Sequence, residues 1–283
     1  MGSPIDGRTI VITGASEGIG RALARELDGR AARLILVARR EAPLHQLAAE
    51  LRGPTEVVPC DLSTEEGPDQ LLAALSPRDV HLLVNNAGVT VGGAFGARGI
   101  EPVRAMLRLN IEAPLRLIHG LLPHWRLRGE GAVLNVASVA AFIPCPGQTA
   151  YAATKAFLHS FGEGLGGEWR LGVEEGVDLR LTTLAPGSTR TRFFQEGGID
   201  ADRLWKRMQD PRAVARAAVR GLERGAPLVI PGLGNRALDL LLRVVPRSVS
   251  RAGARWVLGP LARGEATLGE AWEGSRPESE EES

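Results

Sequence analysis

The 283-residue sequence is poor in several residue types that often carry chemistry. It contains one tyrosine, two cysteines and three methionines, and aromatic residues make up only 4% of the chain. The cysteines, Cys60 and Cys145, are too few for a disulfide framework and are expected to be free thiols. The five histidines show no ligand spacing with cysteines or carboxylates. The sequence therefore predicts no metal site.

The sequence also lacks strong net charge and long apolar runs. A net charge of +1 and few aromatic residues give no basis for nucleic-acid binding, so no such partner is expected. No stretch approaches the roughly 20 apolar residues of a spanning helix. The first residues lack the basic start and apolar run of a signal peptide. We therefore expect a cytoplasmic location.

Short aliphatic and β-branched runs alternate with segments of helical spacing. The runs predict seven strands, at Thr9–Thr13, Leu34–Val37, Glu56–Val58, Val80–Val84, Ala132–Ala137, Val177–Leu184 and Leu228–Ile230. Helical spacing lies between them, as at Ile19–Leu27, Leu44–Leu51, Asn110–Trp125, Tyr151–Trp169 and Pro211–Leu222. This alternation predicts one α/β domain over residues 1–231, a doubly wound Rossmann fold with a seven-stranded parallel sheet.

The alternation stops after Gly232. Residues 232–273 are predicted to form a helical C-terminal extension, because apolar residues alternate there with arginines. The arginines are Arg243, Arg247, Arg251 and Arg255. Residues 274–283 are acidic without core-forming residues, and are expected to be disordered. The extension could cover the substrate mouth, alter a homodimer or homotetramer, or make peripheral contact with a membrane, and packing against the fold is the first expectation.

A glycine-rich turn follows the first strand and leads into a helix. Gly14 permits a tight turn, Gly18 lets the backbone approach a pyrophosphate, and Gly20 lets helix and strand pack closely. The helix N-terminus offers free N–H groups to phosphate. The pattern predicts a dinucleotide site, although the glycines could also simply close a loop. The other predicted contacts in this turn are Ser16, Glu17 and Ile19.

The end of the second strand indicates which dinucleotide is preferred. An acidic residue there accepts the ribose 2′-hydroxyl of NAD, whereas arginine accommodates the 2′-phosphate of NADP. The strand ends with Arg39 and Arg40, which favours NADP(H), although Glu41 lies close by. After the third strand, Asp61 is placed to meet the adenine amino group or to cap the next turn, and Leu62 is a further predicted cofactor contact.

The only tyrosine, Tyr151, lies four residues before one of the only two lysines, Lys155. Positions i and i+4 share a helix face, so phenol and ammonium can point into one site. A nearby ammonium lowers the pKa of a phenol towards neutrality, which would make Tyr151 a general acid and base. A surface lysine beside an incidental tyrosine is the alternative.

Scarce polar residues also stand where strands end. Asn85-Asn86-Ala87-Gly88 closes the fourth strand, Ser138 closes the fifth, and Asn110 opens a helical region. Ligands bind beyond the carboxyl ends of strands in open α/β sheets. These side chains and the glycine turn are therefore expected to meet in one crevice.

Taken together, these motifs resemble the short-chain dehydrogenase/reductase family over residues 6–231. They are Thr13-Gly14-x-x-x-Gly18-x-Gly20, Asn85-Asn86-Ala87-Gly88, Asn110, Ser138, Tyr151-x-x-x-Lys155 and Pro186-Gly187-x-x-x-Thr191. The resemblance implies NADP(H)-linked hydride exchange between a ketone and a secondary alcohol, with Asn110, Ser138, Tyr151 and Lys155 as catalytic residues.

The resemblance also implies individual roles. Tyr151 exchanges the proton, Ser138 polarises the carbonyl oxygen, Lys155 binds the nicotinamide ribose, and Asn110 holds a relay water. The implied cofactor contacts further along the chain are Asn86, Ala87, Gly88, Pro186, Gly187, Thr189 and Thr191.

The long segment Gly187–Gln209 is expected to act as a lid. The residues expected near a substrate are mostly apolar, which favours a lipophilic ketone. Predicted substrate contacts are Ser138, Phe142, Gln148, Tyr151 and Phe193, with further apolar candidates at Phe95, Pro144, Phe194, Leu204 and Trp205. Two alternatives remain: an NAD-linked alcohol dehydrogenase, and a non-catalytic NADP(H)-binding sensor or scaffold.

Overall fold

A computed structural model describes residues 2–76, 78–97, 99–204 and 207–267. The strands are β1 (Thr9–Thr13), β2 (Arg33–Ala38), β3 (Thr55–Pro59), β4 (Leu82–Asn85), β5 (Glu130–Val136), β6 (Asp178–Leu184) and β7 (Leu228–Val229). The helices are α1 (Gly18–Leu27), α2 (Glu41–Glu50), α3 (Gly67–Leu75), α4 (Ile100–Leu107), α5 (Ala113–Arg128), α6 (Thr149–Arg170), α7 (Phe193–Glu196), α8 (Ala201–Leu204), α9 (Pro211–Glu223), α10 (Leu233–Val244) and α11 (Arg247–Ala262).

All seven strands join one parallel sheet in the order β3-β2-β1-β4-β5-β6-β7. The predicted doubly wound α/β fold is confirmed. Chain order reverses between β1 and β4, and this reversal opens a crevice beyond the carboxyl ends of the strands.

Alternation along the strands supplies both faces of the sheet. In β1, Ile10 and Ile12 are buried in one core cluster with Leu23 of α1 and Val214 of α9. Val11 points the other way, into the cluster that includes Trp125 of α5. Because successive strand residues face opposite sides, continuous apolar strands require helices on both faces.

The C-terminal extension forms two helices, as expected. Leu258 of α11 packs with Cys145 and Ala152, while Leu261 packs with Phe194 and Ile199 of the lid segment. The extension therefore contacts both the segment before α6 and the lid. The predicted disordered tail and the candidate Trp205 lie outside the described residues.

Candidate active site

A cavity of about 840 Å³ lies beyond the carboxyl ends of the strands. Residues that follow five different strands line it, namely Gly14, Arg39, Asn86, Ser138 and Pro186. The structure thus brings together segments that the sequence analysis expected to meet.

Most of the predicted site residues line this cavity. They are Gly14, Ser16, Glu17, Gly18, Ile19, Arg39, Arg40, Asp61, Leu62, Asn86, Ala87, Gly88, Ser138, Gln148, Tyr151, Lys155, Pro186, Gly187, Thr189, Thr191 and Phe193. Three predicted residues, Gly20, Asn110 and Phe142, are not part of the cavity lining.

The glycine turn has the shape that a close-approaching ligand requires. Gly14 and Gly18 have φ angles of 65° and 57°, a region that other residues rarely adopt. A Cβ on Gly20 would lie 2.3 Å from the Gly14 carbonyl oxygen, so Gly20 permits the helix to begin against the turn. Asn86 fixes the turn, because its Nδ2 donates to the carbonyls of Thr13 and Gly14 at 2.9 and 3.1 Å. This arrangement fits a dinucleotide pyrophosphate at the start of α1.

Arg40 lies between two carboxylates at the rim of the cavity. Its Nη2 is 3.2 Å from Glu17 Oε2 in the glycine turn and 3.8 Å from Glu196 Oε1 in α7. Burial, and then the negative charge of Glu17, raise the pKa of Glu196. Arg39 is exposed at the same rim. Sequence reasoning missed Glu196, because nothing in the lid sequence indicates that it reaches Arg40.

Asp61 caps the turn that follows β3. Its Oδ1 accepts hydrogen bonds from the backbone N and the Oγ of Ser63, at 2.9 and 2.6 Å. Of its two expected roles, the capping role is therefore present in the structure. Asp61 also lines the cavity beside Leu62.

Tyr151 and Lys155 are both buried in the first part of α6, 6% and 4% exposed. Lys155 Nζ lies 5.8 Å from the centroid of the Tyr151 ring and donates to the Val136 carbonyl at 2.9 Å. Ser138 is half-buried at the end of β5 and hydrogen-bonds with the Tyr151 hydroxyl. The i,i+4 spacing therefore places phenol and ammonium in one site, as expected.

The expectation that Lys155 lowers the Tyr151 pKa is not met in this structure. Burial raises the pKa of Tyr151 above its ordinary value, and the hydrogen bond with Ser138 lowers it by less. Burial also lowers the pKa of Lys155 to about 8. The physical reason is that desolvation disfavours both charged forms. The phenol is therefore held in its protonated form.

Asn110 lies in a π-helical turn over Arg108–Glu112, between α4 and α5. The side chain is 1% exposed and links the loop that follows β4 to helix α6. Nδ2 donates to the Val89 carbonyl and to Thr154 Oγ1 at 2.9 and 3.0 Å, and Oδ1 accepts from the Val89 N–H at 3.0 Å. Both hydrogens of the Asn110 amide are thus already used in hydrogen bonds. A relay water at Asn110 would therefore have to donate a hydrogen bond to Oδ1.

The apolar substrate candidates separate into two groups. Phe193 contacts Tyr151, with ring centroids 5.5 Å apart, and Phe194 also lines the cavity. Phe142 instead packs edge-on against His159 at 4.8 Å and is absent from the lining, as are Phe95, Pro144 and Leu204. Phe142 lies in a short 3-10 turn whose rotation sends its ring to α6 rather than to the cavity.

Two polar neighbours complete the catalytic end. Gln148 is 4% exposed and donates from Nε2 to Thr90 Oγ1 at 3.0 Å. Cys145 lines the cavity, and burial raises its thiol pKa to about 12. A thiol that stays protonated is a poor nucleophile, so packing is the role its surroundings favour.

The extension contributes one wall of the cavity. The cavity lining from α10, α11 and their connection includes Leu238, Leu241, Leu242, Val245, Val249, Ala254, Trp256, Val257 and Leu258. The amphipathic pattern predicts that one face of each helix is covered, and the substrate mouth is one of the surfaces that the sequence analysis expected the extension to cover.

The motifs, the crevice and the Tyr151–Lys155 pair are matched by a family model. The model describes the short chain dehydrogenases and matches residues 8–201. The chain belongs to this short-chain dehydrogenase family. It is therefore an oxidoreductase whose cavity fits a nicotinamide dinucleotide.

Similar proteins place the dehydrogenase among diverse relatives. It is 37% identical over 205 residues to a serine 3-dehydrogenase of Agrobacterium fabrum, covering 70% of this chain and 80% of that protein. A short-chain dehydrogenase of Sphingobium yanoikuyae in complex with NADPH has a TM-score of 0.74 at 29% identity, covering 84% and 96% of the two chains. A bulky-bulky ketone specific alcohol dehydrogenase of Comamonas testosteroni has a TM-score of 0.69 at 26% identity, covering 85% and 96%. Further structures of this fold were solved with NADP, NAD or NADH.

Proposed function

We propose that this dehydrogenase uses NADPH to reduce a lipophilic ketone to a secondary alcohol, with Tyr151 as the proton donor. One observation carries the proposal: the protonated Tyr151 hydroxyl, Ser138 and an apolar wall share one cavity with the glycine turn. The relative that is named for bulky ketones supports the substrate class. The NADPH complex of a similar chain supports the cofactor.

The cofactor would lie along the residues already described. The glycine turn and the first N–H groups of α1 would hold the pyrophosphate, and Arg39 and Arg40 the 2′-phosphate. Lys155 would exchange its bond to the Val136 carbonyl for ribose hydroxyls, while Thr189 and Thr191 border the nicotinamide end. When bound, the nicotinamide supplies the hydride that reaches the carbonyl carbon.

The chain's own residues would handle the proton. Ser138 donates a hydrogen bond to the carbonyl oxygen, and the Tyr151 hydroxyl gives that oxygen its proton as the hydride arrives. The resulting phenolate would take up a proton again by way of Lys155 and a water at Asn110. The raised pKa of Tyr151 favours reduction at neutral pH, since the proton is already in place.

One specific observation favours a second candidate, an NAD-linked alcohol dehydrogenase. Glu17 and Glu196 both lie near Arg40, so part of the charge that would attract a 2′-phosphate is already compensated. We retain NADPH as the first choice because two arginines, Arg39 and Arg40, line this part of the cavity and a similar chain was solved with NADPH.

Initial rates of NADPH and NADH oxidation against a panel of ketones test the proposal. The panel should pair bulky apolar ketones with small polar ones and with serine-type and 3-oxoacyl thioester substrates. We expect the highest kcat/KM with NADPH and a bulky apolar ketone. Faster turnover with NADH would favour the second candidate, and preference for a small polar substrate would contradict the substrate class.

The oligomeric state and the domain limits belong to the same proposal. We infer a homodimer or homotetramer in which residues 1–231 form the catalytic domain and the extension completes its cavity. Light scattering on the purified chain tests the first point, and a monomer at micromolar concentration would contradict it.

A further inference from the structure

The outer surface of α10 and α11 is basic and has no exposed carboxylate. Between residues 233 and 262 the sole acidic residue is Asp239, which is 8% exposed and pairs with Arg243 at 2.9 Å. Five exposed arginines accompany it, namely Arg236, Arg243, Arg247, Arg251 and Arg255. The segment therefore carries a charge of +4, whereas the whole chain carries +1.

Large apolar side chains are exposed on the same two helices. Leu240 is 63% exposed, Val244 79% and Trp256 84%. Single exposed apolar residues are ordinary, but several of them around the mouth of one cavity are typical of a binding surface. We call the exposed side chains of α10 and α11 the extension face.

The extension face continues into the mouth of the active-site cavity. Leu241, Val249 and Val257 are 54%, 57% and 47% exposed, and the same three residues line the cavity. Trp256 is also part of both surfaces. An apolar path therefore runs from the outside of the extension to the chamber that holds Tyr151.

We propose that the extension face docks on an anionic lipid bilayer and that lipophilic ketones enter the cavity from that bilayer. Arginines surrounding exposed Leu, Val and Trp match an interfacial surface, in which apolar side chains enter the acyl boundary while the charges meet lipid phosphates. Trp256 has the amphipathic ring favoured at such boundaries. Entry of the ketone rests on the proposed function, but docking does not.

Charge decides against a second copy of this chain as the occupant. A two-fold contact places the same patch on both partners, so arginines would face arginines. No carboxylate is exposed between residues 233 and 262 to balance them. Anionic headgroups supply that balance.

Flotation of the full-length chain with vesicles tests docking. The probes are vesicles of phosphatidylcholine alone and vesicles that also contain phosphatidylglycerol, at low and high salt. We expect flotation with the anionic vesicles at low salt and loss of most of it at high salt, since the attraction is screened. Failure to float under the favourable condition would overturn the proposal.

A matched pair of charge-reversal variants identifies the surface. Arg251→Glu/Arg255→Glu alters two exposed arginines one helical turn apart, and we expect its partition into anionic vesicles to fall at least about tenfold. Arg212→Glu/Arg216→Glu makes the same change at the same spacing on α9. This control should float like the wild-type chain. Equal flotation of both variants would overturn the assignment of the surface.

Two further readouts separate the remaining explanations. Val244→Glu should abolish flotation without changing the oligomeric state. If the wild-type chain did not float and Val244→Glu lost its dimer, the extension face would bind a second copy of the chain, and the docking proposal would be overturned. Arg251→Glu/Arg255→Glu should reduce a water-soluble ketone at the wild-type rate and a vesicle-embedded ketone severalfold more slowly. A chain that floats but reduces no ketone would contradict the proposed function and support docking alone.

Discussion

Lys155 is a buried ammonium whose pKa of about 8 lies inside an accessible pH range. Its charge is complete below that value and is lost as the pH rises through it, because burial favours the neutral form. We therefore expect kcat/KM for ketone reduction to fall as the pH increases past about 8. Lys155→Met should abolish this descending limb and lower the rate at every pH. A wild-type profile that stays flat through this range would contradict the assignment.

The reverse reaction should respond to pH in the opposite direction. Alcohol oxidation needs the Tyr151 phenolate, and burial raises the pKa of that group. We therefore expect alcohol oxidation to accelerate as the pH rises from neutrality until loss of the Lys155 charge opposes it. The measurement is initial NADP⁺ reduction over the same pH series. A rate that decreases steadily from neutral pH would contradict a raised Tyr151 pKa.

The contributions of Arg40 and Arg39 to cofactor binding can be distinguished by substitution. Arg40 is held near Glu17 and Glu196, whereas Arg39 is exposed at the rim of the cavity. We expect Arg40→Gln to weaken NADPH binding at least about tenfold with little effect on NADH, since a charge-assisted phosphate contact is lost. Glu196→Gln should tighten NADPH, because a competing carboxylate is removed. Fluorescence titration of both cofactors measures this, with Arg39→Gln as the matched comparison.

For single residues, the sequence predicts which side chains share the site better than it predicts their burial and pKa. The Tyr151–Lys155 pair follows from helical spacing alone, and the structure places both in one buried site. The direction of the Tyr151 pKa could not be predicted, because spacing gives proximity but not desolvation. The direction of the Phe142 ring could not be predicted for a related reason: it depends on a short 3-10 turn, and the ring lies against His159.

Among the elements, α11 depends on a glycine outside it. Gly147 has a φ of 80°, and a Cβ there would lie 2.7 Å from Leu261 Cγ and 2.8 Å from the Ala262 nitrogen. We expect Gly147→Ala to strain the loop and push α11 away from it, which costs about 1–2 kcal/mol in backbone strain alone. The ketone KM should rise while NADPH affinity is retained. Thermal unfolding and steady-state kinetics measure the two effects.

Gly164 provides the matched control. It lies on the exposed side of α6, and nothing lies within 4 Å of the position where its Cβ would be. Gly164→Ala should stabilise the chain by about 0.5–1 kcal/mol, because alanine has the better helix propensity. A Gly147→Ala variant that is at least as stable as the wild-type chain would contradict the close contact with α11.

Elements were predictable where periodicity reports burial. The continuous apolar runs of β1 and its neighbours have a direct cause, since these strands are covered on both faces. The positions of α10 and α11 were not predictable, because an amphipathic helix records only that one face is covered. Their contribution to the cavity wall depends on tertiary contacts such as Leu258 with Cys145.

For the whole molecule, topology explains why the site is where it is. Chain order reverses between β1 and β4, so the glycine turn, Asn86 and Ser138 converge at one edge of the sheet. The motifs at strand ends made this convergence predictable from the sequence. The extension then covers the side of the crevice that the sheet leaves open, and it adds apolar surface there. No helix among the described residues is long and apolar enough to cross a membrane.

The central claim is that Tyr151 transfers the proton within a site that otherwise binds cofactor normally. Tyr151→Phe removes one hydroxyl and preserves the ring that packs against Phe193. The decisive measurement is kcat for NADPH-dependent ketone reduction by Tyr151→Phe, with the NADPH dissociation constant determined on the same preparation. We predict a loss of about 10²–10⁴-fold in kcat with nearly unchanged NADPH binding. A variant that retains most of its turnover would contradict the account.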